Sequence, residues 1–256
     1  MPDKSKFLED VGMKNLPFPM RVLSKSNPDG QPTIANISIS ARIMREFEAQ
    51  WIDRFIQVLH KQGKKIGPES LRANILDYQT RLGASAVRVD FDYPFFIEKT
   101  TPVSQEKCMV RYLCTYSAKS STVGGTSINF KIEVPVITTY PVSVSDKPGG
   151  LFGQLSIVAI EIASEKDVFP EDLVEIVDRY AIAPVYSYLT EEDQKYIIER
   201  VHSEEITSVD LVGEIKKELA HNKEISWYSV SCTNHGMLHS YSTAIGIEKS
   251  PWIPST

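Results

Sequence analysis

Two histidines and a cysteine near the carboxyl end of the chain have side chains suited to chemistry. His235 and His239 are four residues apart in a strand-like stretch, where such positions share a face. They could hold a divalent metal if Asp178, Glu175 or Cys232 supplied a third ligand. Cys232 could instead be a nucleophile with either histidine as its base. In the simpler interpretation His235 is a loop residue, His239 is a retained pocket wall and Cys232 packs in the core.

The composition is typical of a soluble globular protein. The chain has 256 residues, of which 42% are hydrophobic and 24% charged, with a net charge of -5. This mild acidic excess, without a run of basic residues, disfavours nucleic acid and membrane surfaces as partners. The first residues lack the apolar core of a signal peptide, which predicts a cytoplasmic protein. The three cysteines show no CxxC spacing, so we expect all of them to be reduced.

Recurring apolar residues predict two helices in the first third of the chain. The first runs from about Ala41 to Lys65 and is closed by Gly63. Its apolar residues recur at every fourth position, at Ile43, Phe47, Trp51, Phe55 and Leu59. The second runs from Pro68 to about Arg81 and is expected to bury Leu71, Ile75 and Leu76.

Alternating residues then predict three long strands. The inward positions are 87, 89, 91 and 93 in the first, 108 to 116 by twos in the second, and 128 to 136 by twos in the third. Turn-rich residues 117–127 predict a hairpin between the last two.

The rest of the chain alternates between strands and helices. A turn at Asp146–Gly150 precedes a strand at 153–163, and a helix follows from Pro170. Thr190, with Asp193 three residues later, predicts the start of the next helix, and a third spans about 209–220. Two strands near 226–232 and 239–248 close the chain. The order predicts an α+β fold, with an antiparallel sheet covered by helices on one face. Two related halves, 1–124 and 125–256, are expected.

Four segments carry a resemblance to a known family. They are VGMKNLPFPMRV at 11–22, PVITTYPVSVSDKPGGLFGQL at 135–155, VYSYLTEEDQKYIIER at 185–200 and VSCTNHGMLHSYSTA at 230–244. Together they resemble the type IB GTP cyclohydrolase family over most of the chain. The resemblance implies tandem tunnelling-fold (T-fold) halves, a homo-oligomer (a tetramer in the family) with ligand sites at subunit junctions, and a purine- or pterin-like ligand.

The metal-binding positions of that family hold other residues here. Its Cys and His ligands fall on Tyr140 and Phe152, and its Glu ligand falls on Gln194. The Glu that anchors guanine falls on Gly236. Because the family reaction needs a metal to lower the pKa of water from about 15.7 to about 7, the resemblance implies that the usual mechanism is unavailable. We therefore predict no metal at these positions and no cofactor.

Two residues of the family site are retained, His239 and Gln154, and we interpret them as the catalytic candidates. The predicted ligand-binding residues are Tyr140, Phe152, Gln194, His235 and Asp178, with Tyr140 either filling the vacated cavity or stacking on a heterocycle.

Three functions stay open. The protein binds a purine- or pterin-like ring with metal-independent or altered chemistry, or none; it is a non-catalytic structural or regulatory subunit; or it is an active cyclohydrolase with a metal site relocated to His235 and His239. An inward carboxylate from Glu175, Asp178 or Glu199 would favour ring binding. A pocket sealed by Tyr140 and Phe152 would favour the subunit.

Overall fold

A computed structural model describes residues 10–61, 65–146, 150–236 and 238–249. The strands within these residues are β1 (Val11–Val22), β2 (Gln31–Arg42), β3 (Lys65–Ile66), β4 (Ala86–Thr100), β5 (Lys107–Ser121), β6 (Gly125–Thr139), β7 (Gly153–Ser164), β8 (Ala183–Pro184), β9 (Ile225–His235) and β10 (Thr243–Glu248). The helices are α1 (Trp51–Lys61), α2 (Pro68–Arg81), α3 (Pro170–Tyr180), α4 (Glu191–Ser203) and α5 (Ser208–His221). The predicted α+β class and predominantly antiparallel pairing are confirmed. Among the described residues, no helix is both long and apolar enough to span a bilayer.

The long strands follow the predicted alternation. In β4, β5 and β6 the residues on the predicted inward register are buried, whereas their neighbours are exposed or partly exposed. Each strand therefore has one covered face and one wetter face, as expected of an antiparallel sheet with one face on a core. The turn at 122–124 joins β5 to β6 as the predicted hairpin.

The chain divides into two compact units, and the four long strands β4 to β7 contribute a segment to each. The first unit comprises the chain up to Pro94, Cys114–Phe130 and Ala163–Phe169. Its strand order is β3-β1-β2-β4-β5-β6, with β1 antiparallel to β2 and parallel to β3. Helices α1 and α2 contact each other through Phe55 and Tyr78, whose ring centroids are 5.3 Å apart.

The second unit comprises Phe95–Leu113, Lys131–Ile162 and the chain from Pro170 onward. Its strand order is β10-β9-β7-β6-β5-β4, and β8 pairs with β6. Helices α3, α4 and α5 belong to this unit, and α5 packs on α3 and β9. All the predicted site residues lie in it. The tandem halves 1–124 and 125–256 follow a different division of the chain and stay a prediction.

The first predicted helix begins ten residues later than its apolar pattern indicated. Ile43 is buried just after the end of β2, and Phe47 ends a short 3-10 turn, so α1 begins only at Trp51. In α2, which has the predicted bounds, Leu76 is 52% exposed, so its predicted burial is wrong; Tyr78 is buried instead. Gly63 and most of the Asp146–Gly150 turn lie outside the described residues.

Candidate functional site

The two residues at the family's Cys and His positions lie against each other. Tyr140 directly follows β6 and Phe152 directly precedes β7. The Tyr140 amide donates to the Phe152 carbonyl oxygen at 2.9 Å, and the two rings stack with centroids 4.9 Å apart and planes 19° apart. Tyr140 is buried, with 6% of its surface exposed. The two positions are as close together as two ligands of one metal ion must be. A phenyl ring has no atom that can bind a metal, however, and the phenol ring of Tyr140 is stacked on it.

Gly236, at the position of the family's anchoring Glu, completes this packing. A Cβ atom at Gly236 would lie 3.0 Å from Cε2 of Tyr140, closer than ordinary van der Waals contact. A side chain at position 236 would therefore press against the tyrosine ring. The large residue at 140 and the missing side chain at 236 are sterically complementary.

Gln194, at the third metal-ligand position, is on the exposed side of α4. Its Nε2 donates to the carbonyl oxygen of Leu189 at 3.4 Å. A phenol, a phenyl ring and a neutral amide do not fit the thiolate, imidazole and carboxylate set that such a metal requires. Over the described part of the chain, no group of three or more His, Cys, Asp and Glu side chains could hold a metal ion, and this includes His235 and His239.

The two catalytic candidates have different surroundings. Gln154 is 4% exposed, and its Nε2 donates to Thr138 Oγ1 at 3.3 Å and to the Thr139 carbonyl oxygen at 3.2 Å. These bonds occupy the side chain in a buried network. His239 lies in an exposed segment, where its ring stacks on Tyr241 at 4.7 Å between centroids. A catalytic role for either residue stays a prediction.

Cys232 is buried, and the structure argues against a nucleophilic role for it. In β9 it points inward while His235 is exposed at the end of the strand. Its thiol contacts Oδ1 of Asn234 at 3.6 Å. Burial raises the pKa of the Cys232 thiol to about 11, although a contact with Ser156 lowers it somewhat. The reactive thiolate is therefore scarce near neutral pH. All three cysteines are buried and none forms a disulfide with another described residue.

We expect the native protein to resist thiol labelling. At pH 8 a thiol with a pKa of about 11 is ionised to about one part in a thousand, and burial blocks access to it. Ellman's reagent should therefore react with less than one thiol per native chain and with all three after unfolding in guanidinium. The variant Cys232→Ser should leave the native value unchanged. Rapid native labelling that this variant abolishes would restore the nucleophile hypothesis.

A buried ion pair in the second unit includes a residue that sequence reasoning did not single out. Lys99, near the end of β4, donates from Nζ to Oδ2 of Asp178 on α3. The two side chains are only 10% and 21% exposed. Burial lowers the pKa of Lys99, although Asp178 raises it in part, and burial raises the pKa of Asp178, although Lys99 lowers it in part. Both charges are therefore costly here, and each requires the other.

One atom of this ion pair and one neighbouring hydroxyl have no hydrogen-bond partner among the described residues. They are Oδ1 of Asp178 and the hydroxyl of Tyr112, a β5 residue that is 1% exposed. Lys99 Nζ lies 5.5 Å from the Tyr112 ring centroid and 6.0 Å from that of half-buried Tyr186. Buried polar atoms nearly always have partners in folded proteins. Lys99, Asp178, Tyr112 and Tyr186, called here the Lys99 cluster, therefore have unused hydrogen-bonding capacity.

Asp193 fixes the loop that leads from Lys99 to β5. This residue is fully buried, and its Oδ1 accepts from the amides of Val103 and Ser104 at 2.9 and 3.0 Å. Its Oδ2 accepts from the hydroxyls of Ser104 and Thr190 at 2.6 and 2.7 Å. The predicted capping box at Thr190 is thus confirmed. Asp193 also binds the 101–106 loop, a contact that the sequence did not predict.

The stability contributed by Asp193 should depend on pH. Burial raises its pKa, but hydrogen bonds from Ser104, Thr190 and Val103 lower it more, to well below the usual value. Because the folded-state pKa is lower than the unfolded one, this contribution is complete above about pH 4 and is lost as pH falls further. The difference in melting temperature between wild type and Asp193→Asn should therefore be constant from pH 5 to 7 and shrink below pH 4.

Asp210 provides the matched control for that measurement. It makes the same capping box with Thr207 at the start of α5, but it is exposed, and its side-chain hydrogen bonds to described residues stay within that box. Asp210→Asn should cost less stability than Asp193→Asn. Equal losses in the two variants would show that the loop contacts of Asp193 contribute nothing.

A surface cleft in the first unit has a volume of about 420 Å³. Residues at the ends of β2, β4 and β5 line it, among them Arg42, Arg88 and Lys119. All of its lining residues belong to the first unit, whereas every predicted site residue belongs to the second.

The architecture occurs in other solved proteins. Solved structures of urate oxidases share it: the enzyme from Bacillus sp. TB-90 matches with a TM-score of 0.56 over 95% of this chain and 100% of its own. The uricase from Arthrobacter globiformis matches with a TM-score of 0.53 over 94% of this chain and 92% of its own. The sequence identities are 9% and 10%, so the likeness shows the fold alone.

The sequence comparison shows the family. A family profile described as type I GTP cyclohydrolase folE2 matches residues 2–244. Two relatives named GTP cyclohydrolase FolE2, from Geobacter sp. (strain M21) and Dictyoglomus turgidum, are 32% and 34% identical to the chain. The alignments cover 94% and 96% of this chain and 89% and 94% of the relatives. The chain therefore belongs to the GTP cyclohydrolase FolE2 family. The predicted GTP cyclohydrolase family is confirmed, while the subtype label IB stays a prediction.

Proposed function

We propose that this protein binds the ring of a purine nucleotide, GTP in the first instance, and that its chemistry does not use a metal at the positions inherited from the family. The stacked pair of Tyr140 and Phe152 carries this proposal, because apolar ring surface fills the place where two metal ligands would converge. Family membership supports a purine as the ligand.

The chemistry of the family reaction supports the proposal that no metal is used at these positions. Opening guanine at C8 needs a hydroxide near neutral pH, which a bound divalent metal supplies. Tyr140, Phe152 and Gln194 offer neither a thiolate, an imidazole nor a carboxylate. We therefore infer altered chemistry on the bound ring, or binding without turnover.

A second candidate is metal-dependent GTP cyclohydrolase activity with ligands elsewhere. Relatives named GTP cyclohydrolase FolE2 align over nearly the whole chain, and this favours metal-dependent activity. The described residues offer no cluster for that metal, so we rank this candidate below the first.

The assembly and location of the protein belong to the same proposal. We expect a cytoplasmic homo-oligomer, a tetramer by family resemblance, built from tandem T-fold halves with the helices on one face of the sheet. Exposed apolar side chains on strand faces, such as Met109 and Leu113 at 51% and 48% exposure, support association between copies. Light scattering coupled to size exclusion measures the oligomer.

GTP turnover and GTP binding, measured on one preparation, test the proposed function. The protein is stripped with a chelator and assayed with and without Zn²⁺ or Mn²⁺, and mass spectrometry follows formamidopyrimidine and pterin products. Calorimetry measures GTP binding, and elemental analysis measures retained metal.

GTP binding without metal-dependent product supports the proposal. Product that appears only with stoichiometric metal selects the second candidate. Failure to bind GTP or any purine overturns both candidates and leaves the non-catalytic subunit, with which the stacking of Tyr140 on Phe152 is compatible.

A further inference from the structure

We propose that Asp178, Lys99 and Tyr112 anchor the edge of a neutral heterocycle that carries N–H donors beside a carbonyl oxygen, the edge that guanine and pterins present. This inference rests on the proposed function and deepens it, because it names the residues that bind the ring and the chemical pattern that they select.

The unused hydrogen-bonding capacity of the Lys99 cluster is the first argument. Asp178 Oδ1 is a buried carboxylate oxygen without a donor, and the Tyr112 hydroxyl is a buried group without a partner in the described residues. Leaving such groups unpaired destabilises the unliganded protein, and more so for a charged group. A ligand that bonds both would recover this free energy on binding.

The charge of the cluster selects the class of ligand. Lys99 already neutralises Asp178, so the pair has no net charge to attract a phosphate. A cation would meet the ammonium group of Lys99 beside the only carboxylate of the cluster. A neutral group with both donors and acceptors satisfies the site without adding a charge to a partly buried position.

The arrangement of donors and acceptors narrows the class further. Oδ1 of Asp178 can accept from the amino group or ring N–H of a 2-amino-4-oxo heterocycle. The ammonium group of Lys99 has donors beyond the one used on Asp178, and one of these can reach a neighbouring carbonyl oxygen. The Tyr112 hydroxyl can donate or accept. A ring that lacks the amino group would leave an acceptor unpaired, which costs more than losing a surface contact.

Aromatic rings surround the cluster. The Tyr112 and Tyr186 rings lie 5.5 and 6.0 Å from Lys99 Nζ, and half-buried Tyr186 keeps some ring surface on which a planar ligand can stack. Tyr186 is only half-buried, and the Asp178 side chain keeps 21% of its surface exposed, so solvent reaches this side of the cluster. Asp193 holds the loop that follows β4, close in the chain to Lys99.

Binding of guanosine, inosine and adenosine to the full chain tests the inference. Nucleosides are used because they carry the ring without phosphates. Wild type should bind guanosine at least about tenfold more tightly than inosine, which lacks the amino group. Asp178→Asn and Tyr112→Phe should each weaken guanosine binding by about tenfold and reduce the preference over inosine.

Tyr112→Phe is the decisive variant because it removes only an unpartnered hydroxyl. It should unfold at the same temperature as wild type or slightly higher, so lost affinity would not reflect misfolding. Tyr116→Phe is the matched control. Tyr116 lies on the same strand and is equally buried, and its hydroxyl also has no hydrogen-bond partner within the described ranges, but it belongs to the first unit. It should bind guanosine like wild type.

The two proposals fail in different ways. If wild type binds neither GTP nor guanosine, the proposed function and this inference are both overturned. If wild type binds guanosine and the Asp178→Asn and Tyr112→Phe variants bind it equally well, the function stands and the anchor lies elsewhere. If guanosine and inosine bind equally, the assignment of the amino group to Asp178 is wrong.

Discussion

The variant Lys99→Met is expected to be less stable than wild type by about 3–5 kcal/mol, because it leaves the carboxylate of Asp178 buried without its partner. The methionine keeps most of the apolar stem of lysine, so loss of the charge dominates the effect. Urea unfolding at pH 7, followed by circular dichroism, measures the free energy. Adding Asp178→Leu should recover most of the loss, since a buried ion pair can often be replaced by apolar residues at little cost.

Lys107→Met is the control for this effect. Lys107 pairs with Glu98 at 2.8 Å, but the two side chains are 69% and 54% exposed, so solvent screens the pair and we expect no measurable change. If Lys99→Met and Lys107→Met had the same small effect, Asp178 would be solvated in the folded protein. The buried anchor proposed for the ring would then lose its basis.

Tyr140→Ala is expected to cost about 3–5 kcal/mol, the usual loss when a buried aromatic side chain is truncated. The substitution removes the ring that stacks on Phe152 and leaves a cavity beside Gly236. Tyr188→Ala is the control, because Tyr188 is 55% exposed and such surface changes stay within about 0.5 kcal/mol. Thermal and urea unfolding compare the two. An effect of Tyr140→Ala no larger than the control would mean that the pair does not fill a packed site.

The contact between positions 140 and 236 makes the two substitutions interdependent. Gly236→Glu alone should destabilise the protein by about 1–3 kcal/mol, because its Cβ would press on the Tyr140 ring. In a Tyr140→Cys background the same change should cost less. A double-mutant cycle measures this coupling, and additive effects would contradict the steric account.

Much of the fold could be predicted from local patterns. The long strands alternate strictly, and Pro68 and Thr190 are residues with strong preferences for helix starts, so their elements have the expected bounds. The start of α1 could not be predicted in this way. Ile43 and Phe47 continue its four-residue spacing, but Ile43 is buried by its position after β2. Apolar residues spaced four apart cannot show whether a residue follows a strand or belongs to a helix when both elements face the same core.

The candidate site was only partly predictable. The resemblance identified Tyr140 and Phe152 as neighbours of one site, and Asp178 was one of three carboxylates considered as a ring anchor. Lys99 was missed, although the inward register of β4 runs through Tyr93, Phe95 and Ile97 to this residue. A lysine on a buried register requires a carboxylate nearby, and that is the signal that could have identified it. Its partner is on a helix distant in sequence, which no local pattern specifies.

The attachment of the 101–106 loop to α4 has a consequence for local opening of the molecule. The amides of Val103 and Ser104 donate to Asp193, whose own amide bonds the cap residue Thr190. These two amides exchange with solvent when their bonds to the aspartate break, and release of the aspartate by the first turn of α4 breaks both at once. The loop and the start of the helix therefore open as one cooperative unit. Such a unit would let fraying of a helix end change the position of Lys99 without unfolding the sheet.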